Sequence, residues 1–396
     1  MKVYLTHLGL VNALGIGAAP VAQALFAGQQ SFQLCDWVPG KTTYTAPVTA
    51  ELVAIPEALA GYQSRNLALA ITACEQIKPA VNALLERFGA ERLAVVAGTS
   101  TSGIGEGEQA VAVWKQTSQR PPSYRYQQQE IGVLAQNLAD YFGARGPAYT
   151  LSTACSSSAH ALGSAQRLLA TGMADAVIAG GADSLCRLTV NGFAALDSVD
   201  DKPCVPFSRN RGGINIGEAA AFFVVSREPL DAGSVALLGV GASSDAHHIS
   251  APDPTGAGAR AAILAGLQQG QCTPAEVSYV NLHGTGTPLN DSMEAGVVAS
   301  LFGADCWSSS SKGQLGHTLG AAGATEAALC WLALTHTYNP QQCLPPHVWD
   351  GEIDPQIAAI RLVNDSARLP AGRRVLVSNS FAFGGNNAAV VLEGLA

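Results

Sequence analysis

The sequence predicts an α/β fold built from two duplicated halves, and three observations carry that expectation. Apolar strand-like runs alternate with helix-length segments throughout the chain, which is the pattern of an α/β protein. Several of those runs are nearly continuous in Val, Ile, Leu and Ala, as strands covered on both faces require. The order of parts in the first half recurs in the second. A chain of 396 residues also exceeds the usual size of one hydrophobic core, so two packed units are expected.

The predicted strands, in order, are Val3–Leu8, Leu93–Ala97, Ala176–Ala179, Ala221–Val225, Val235–Val240, Val277–Leu282, Arg374–Ser378 and Ala388–Leu392. Helices are expected at Arg65–Phe88, Ser156–Ala170, Gly258–Gln269, Asp291–Phe302 and Ala321–His336. Each half opens with a strand that ends in a Gly-containing turn, Val3–Gly9 and Val235–Gly241. Each then carries a turn of small residues feeding a small-residue helix, Cys155–Ala159 and Gly316–Gly323, and closes with a strand pair. The seam is placed near Asp231–Gly233, giving halves 1–232 and 233–396.

Composition narrows the class. With a formal net charge of −8, the chain lacks the basic surface of a nucleic-acid binder. A local basic patch would suffice to dock an acidic protein. Arg120, Arg125, Arg209 and Arg211 are candidates for it, against the alternative of ordinary solvated arginines. The segment Met1–Leu8 is too short and polar for a secretory signal. No apolar stretch of the ~20 residues needed to cross a bilayer runs without interruption; Ala174–Ala182, ended by Asp183, reads as a buried strand. Nine cysteines without a Cys-x-x-Cys pair suggest neither a zinc ribbon nor a disulfide framework, so a cytoplasmic, reducing location is expected.

Four segments carry candidate chemistry. In Tyr149–His160 a short strand turns sharply into a helix with Cys155 at the turn, surrounded by small side chains. This is the thiol counterpart of a nucleophile elbow, and the helix N-terminus is expected to favour thiolate and lower the thiol pKa. The alternative is a buried structural cysteine. In Tyr279–Asp291 a strand delivers His283 into a Gly/Thr loop, where glycine permits close approach of a ligand; a hydrogen-bonded core histidine is the other reading. In Ser311–Glu326, His317 stands at the mouth of a small-residue helix, with Lys312 five positions before it and Glu326 nine after. Lys312 and Glu326 form either a partly buried pair or a surface pair. In Ser378–Asn387 a strand reaches a Gly-Gly turn at Phe383-Gly384-Gly385, which also fits a plain hairpin. Gly103–Gly107 lacks the dinucleotide-binding form and is expected to be a flexible loop. His247-His248 has no metal-site spacing.

Together, Thr-Ala-Cys155-Ser-Ser-Ser, His283-Gly-Thr-Gly-Thr, Lys312-Gly-Gln-Leu-Gly-His317 and Asn-Ser-Phe-Ala-Phe383-Gly-Gly-Asn-Asn resemble the β-ketoacyl synthase family in order and spacing, from Val3 to the C-terminus. The resemblance implies a thiolase-like five-layer α-β-α-β-α fold and decarboxylative condensation of an acyl-Cys enzyme with malonyl-ACP. Cys155 would take the acyl chain, and the N–H groups of Cys155 and Phe383 would form the oxyanion hole. His283 and His317 would stabilise the enolate left by loss of carbon dioxide, or position a water for that step. Lys312 and Glu326 would hold the charge state of the cluster, Asp291 would support the His283 loop, and Phe383 would double as a gate. No cofactor is implied beyond the phosphopantetheine arm of acyl carrier protein. The partners implied are that carrier and a second synthase-like chain, as a homodimer or with a chain-length factor.

Two histidines resemble the elongating synthases, not the initiating or chalcone-type enzymes. A degradative thiolase would show a second cysteine where this chain has Phe383-Gly384-Gly385, and chain-length factors usually lack the cysteine found here at 155. One departure stands out. Gly213 falls where primary fatty-acid synthases often carry phenylalanine, and the chain is somewhat short for them. A specialised polyene or type II polyketide pathway is therefore expected.

Overall fold

The computed structural model describes residues 2–231 and 233–394. Ala232, inside the expected seam, and the terminal Met1, Leu395 and Ala396 lie outside the described residues.

The first half contributes β1 (Val3–Asn12), β2 (Leu93–Gly98), β3 (Ala148–Leu151), β4 (Ala176–Asp183) and β5 (Ala219–Ser226). The second contributes β6 (Val235–Ser244), β7 (Val277–Asn281), β8 (Trp307–Ser309), β9 (Val375–Phe381) and β10 (Asn386–Gly394). Within each half the spatial order is third, second, fourth, fifth, first. In both, the third, second and fourth strands are parallel, and the fifth runs antiparallel to its two neighbours. The halves thus share one topology. They join where β1 meets β6 through the pairs Val3–Leu237, Tyr4–Ala236 and Leu5–Val235.

The principal helices are α1 (Arg65–Phe88), α2 (Val133–Phe142), α3 (Ser157–Ala170), α4 (Ala257–Gln269), α5 (Pro288–Phe302) and α6 (Ala322–Leu334). Strand alternation sorts them into layers. Ala221, Phe223 and Val225 of β5 face α3 and α6, whereas Ala220, Phe222 and Val224 face α1 and α2. In β10, Ala388, Val390 and Leu392 face the same central pair, and Ala389 and Val391 face α4 and α5. The result is helix, sheet, helix, sheet, helix. The central helices meet almost backbone to backbone: a Cβ on Gly323 would lie 2.6 Å from the Ala159 nitrogen.

α1 has the expected ends because Ser64 Oγ caps the Leu67 N–H at 3.2 Å and Gly89 leaves the helix at φ 83°. The expected flexible loop at Gly103–Gly107 is instead the start of a helix, Ile104–Thr117. Its glycines serve contact, since a Cβ on Gly103 would lie 2.1 Å from the Gln128 carbonyl oxygen. Unforeseen from the sequence are β8 and a small sheet of Gln33–Val38, Lys41–Ala46 and Ile216–Gly217. Among the described residues no helix is long and apolar enough to cross a membrane.

Candidate active site

β3 ends at Leu151 and α3 begins at Ser157, leaving five residues for a sharp turn. Ala154 takes the left-handed conformation at φ 52°, a strain held by its surroundings. Ser157 Oγ donates to the Ala154 carbonyl at 2.6 Å and accepts from the Thr153 N–H at 2.9 Å; Ser156 Oγ donates to the Thr153 carbonyl at 2.9 Å. These bonds place the Cys155 sulfur at the head of α3, with the residue only 5% exposed. Burial then corrects one expectation. It pushes the Cys155 thiol up to about 12, against the opposing pulls of Lys312 and of the Phe383 N–H directed at the sulfur. The resting group is a thiol, so something must take its proton.

That group is His317. Its Nε2 lies 3.0 Å from Cys155 Sγ, across the boundary between the halves. A short helix, Lys312–Leu315, ends at Gly316 (φ 70°) and delivers the histidine into the first half. There the His317 N–H donates to the Asn215 carbonyl at 2.7 Å, and its own carbonyl accepts from the Gly217 N–H at 2.9 Å. His283, just beyond β7, sets its ring 5.4 Å from that of His317, nearly perpendicular. Burial and then Lys312 hold both imidazoles well below the usual histidine range, so both are neutral. Nδ1 of each is buried without a hydrogen-bond partner.

Lys312 and Glu326 form a fully buried ion pair, and Lys312 Nζ also donates to the His283 carbonyl. The alternative of a surface pair is thereby excluded. Asp291 accepts the Gly286 N–H at 3.2 Å and the Phe207 N–H at 2.8 Å, bracing the loop that follows His283. A closer brace went unread in the sequence. Glu294, fully buried on α5, accepts the N–H groups of His283 and Gly284 at 2.8 and 2.7 Å and the Asn379 amide at 3.0 Å. Burial raises it to about 7. Its position three residues after Asp291, on the same helical face, was the available signal.

Cys155, His283, His317 and Phe383 all line one cavity of about 220 Å³. Cys155 is the one cysteine among the described residues that line it. Phe383 sits in the turn between β9 and β10, so that turn is a hairpin with a task. Its ring packs 5.3 Å from that of Phe193, and Gly384 N–H bonds the Ile249 carbonyl at 2.8 Å. Of the four candidate docking arginines, Arg211 is withdrawn from the surface. It is bound to Asp354 at 2.6 Å and faces Asp291 at 4.0 Å.

A nucleophilic thiol, an imidazole on its sulfur, a second imidazole beside it and an N–H aimed at the reacting centre define an acyl-transfer site of the condensing type. Comparison with known proteins agrees. Family models described as the β-ketoacyl synthase N-terminal and C-terminal domains match residues 48–230 and 235–344. The chain is 37% identical over 268 residues to 3-oxoacyl-[acyl-carrier-protein] synthase 2 of Rhizobium meliloti, covering 63% of this chain but 61% of that protein. It is 28% identical to the Coxiella burnetii protein of the same name, over 99% and 98% of the two chains. Among solved structures, a ketosynthase from Xenorhabdus doucetiae in complex with its chain length factor superposes with a TM-score of 0.92 at 46% identity, covering 100% of this chain and 98% of that one. The chain belongs to the β-ketoacyl synthase family.

Proposed function

We propose that the chain is a β-ketoacyl-[acyl carrier protein] synthase, an acyltransferase that lengthens a fatty-acid, polyene or type II polyketide chain. The observation that carries this reading is the 3.0 Å contact between Cys155 Sγ and His317 Nε2, with the neutral His283 beside it. In the first half-reaction His317 Nε2 takes the thiol proton as Sγ attacks the acyl thioester, and the carrier thiol leaves with a proton. The developing oxyanion lies toward the Phe383 N–H. In the second, the malonyl C–CO₂ bond breaks and its electron pair passes into an enolate. The imidazoles hydrogen-bond the thioester oxygen that gains charge. The enolate carbon then attacks the acyl-Cys155 carbonyl and expels the sulfur, giving the β-ketoacyl product. A neutral imidazole suits this step because it still carries one N–H to donate to the thioester oxygen. The chemistry needs no cofactor beyond the phosphopantetheine arm that carries both substrates.

We further propose that acyl carrier protein docks on this chain, in the cytoplasm, and that a synthase-like chain-length factor is its partner. The second point is supported by the Xenorhabdus ketosynthase, whose structure contains its chain length factor. Incubation with acyl-carrier protein tests the enzyme reading by mass spectrometry. A mass gain on Cys155, lost in Cys155→Ala, supports it, and no gain rejects it. Homodimers alone after co-expression with neighbouring synthase-like genes would reject the chain-length-factor partner.

A further inference from the structure

Asp183 closes β4 and is wholly buried, yet no cation pairs with it among the described residues. Its carboxylate instead collects a shell of neutral donors. Oδ1 accepts the Ser100 and Thr101 N–H groups, each at 2.9 Å, and the hydroxyls of Thr99 and Thr101 at 2.6 and 2.7 Å. Oδ2 accepts the Ser100 N–H at 3.0 Å and its hydroxyl at 2.6 Å. Those groups all belong to the first half. The remaining donor does not: the Gly320 N–H reaches Oδ2 at 2.5 Å from the second half.

Gly320 lies three residues past His317, on the turn that leads into α6. Leu319 before it adopts φ 52°. A Cβ on Gly320 would lie 2.6 Å from Asp183 Oδ2 and 2.7 Å from the Ser100 nitrogen, so the approach has no slack. The other end of the turn is held by Asn215 and Gly217. The His317 turn is thus pinned at both ends to the half that carries Cys155, and the side chains among those pins are Asp183 and Ser100, whose Oγ also accepts the Gly320 N–H at 3.3 Å.

We propose that Asp183 is a positioning residue for the condensation, registering the His317 turn against Cys155 through the Gly320 amide. The inference rests on reading Cys155 and His317 as the reacting pair. Asp183 itself touches neither sulfur nor substrate, although its charge is near enough to raise the Cys155 pKa. Buried hydrogen bonds to a carboxylate are strong, and misplacement of a reacting group by about 1 Å costs up to about 100-fold in rate.

Asp183→Asn separates the links. An amide can keep its oxygen toward the Ser100 and Thr101 N–H groups, but its NH₂ then faces the Gly320 N–H, donor against donor. The bond from the Gly320 N–H to the carboxylate is lost while the four bonds at Oδ1 persist; the Ser100 hydroxyl turns to accept from the NH₂, and Gly320 keeps only its longer 3.3 Å contact with Ser100 Oγ. Crystal structures and steady-state kinetics of wild type and variant make the test. The expected result is a Cys155 Sγ to His317 Nε2 separation beyond about 3.5 Å. A kcat lower by about 100-fold, with KM for carrier-bound substrates within about twofold, should accompany it. Retention of the 3.0 Å contact, or an unchanged kcat, overturns the proposal. Two hydroxyl deletions keep it decidable if Asp183→Asn does not fold. Ser100→Ala, which removes the hydroxyl bond to Oδ2 on the Gly320 side together with the 3.3 Å bond from the Gly320 N–H, should slow kcat several-fold, and Thr101→Val, on the far side, should leave it within about twofold. Equal losses in the two overturn the proposal. If wild type does not condense, the functional reading fails on that result alone. The sulfur-to-imidazole distance in Asp183→Asn still decides the role of Asp183.

Discussion

Glu294 holds His283 by the main chain: its carboxylate spans the N–H groups of His283 and Gly284 at 2.8 and 2.7 Å. The imidazole is therefore aimed by a group that never touches the ring, with Lys312 holding the same residue's carbonyl from the other side. Glu294→Gln should leave one of these buried N–H groups facing an NH₂, at a cost of about 1–3 kcal/mol. The expected outcome is a kcat loss of tenfold or more with the acyl-enzyme still forming, read by single-turnover kinetics.

The same residue gives a pH signature. Its folded value of about 7 lies above the ordinary 4.5, so between those values the native state binds the additional proton. The stability this group contributes is present below about pH 4.5 and is lost as pH rises through about 7. Asp291 and Glu326, also raised by burial, act with the same sign, so denaturant titrations at pH 5 and 8 should show a larger difference in wild type than in Glu294→Gln.

The two histidines should separate by half-reaction. His317 Nε2 touches the thiol and the ring of His283 stands behind it, so His317→Ala should slow both acylation and decarboxylation. His283→Ala should leave acylation within about tenfold and lower malonyl decarboxylation by two orders of magnitude or more. Radiolabelled carbon dioxide release and intact-protein mass spectrometry read the two steps. Burial holds both imidazoles well below 6.5, so neither should impose a rate loss as pH falls from 8 to 6.5; any decline of decarboxylation near pH 7 should trace to Glu294 and be absent in Glu294→Gln.

Lys312→Met should be among the most destabilising single changes. It strands Glu326 as an unpaired buried carboxylate, worth about 3–5 kcal/mol. The double change Lys312→Met with Glu326→Leu should recover much of the melting temperature and none of the activity. Additive losses in the double-mutant cycle would show that the pair is not coupled.

Gly213 is required by its own backbone. Its φ is 146°, and a Cβ there would lie 2.4 Å from the Ser198 carbonyl oxygen. Gly213→Phe should lower the melting temperature by several degrees, without a gain in turnover on short saturated chains.

Periodicity made the framework legible. Val3, Leu93, Ala176, Val235 and Val277 begin apolar runs that become strands, because strands shielded on both faces leave little choice of side chain. Trp307–Ser309 escaped notice because only three residues pair and two are serines; Ser308 and Ser309 are nevertheless fully buried. The resemblance brought Cys155, His283, His317, Lys312, Glu326, Asp291 and Phe383 to one region, and the structure gathers all seven around the cavity and its walls. The roles of Glu294 and Asp183 were hard to read for a common reason. An isolated carboxylate on a helix or at a strand end looks solvated, and only the folded chain shows that backbone N–H groups surround it. The thiol pKa was misjudged similarly, since a helix N-terminus is visible in a sequence and the depth of burial is not.

Cys155 and His317 stand 162 positions apart in the chain. As the polypeptide is synthesised, the thiol emerges long before the imidazole that is to take its proton. A first half released or folded alone would carry a sulfur whose proton has no acceptor, poorly reactive toward the thioesters of the cell. Contacts of such long range also form late and slowly. On the proposed mechanism, chemical competence is therefore tied to completion of the chain.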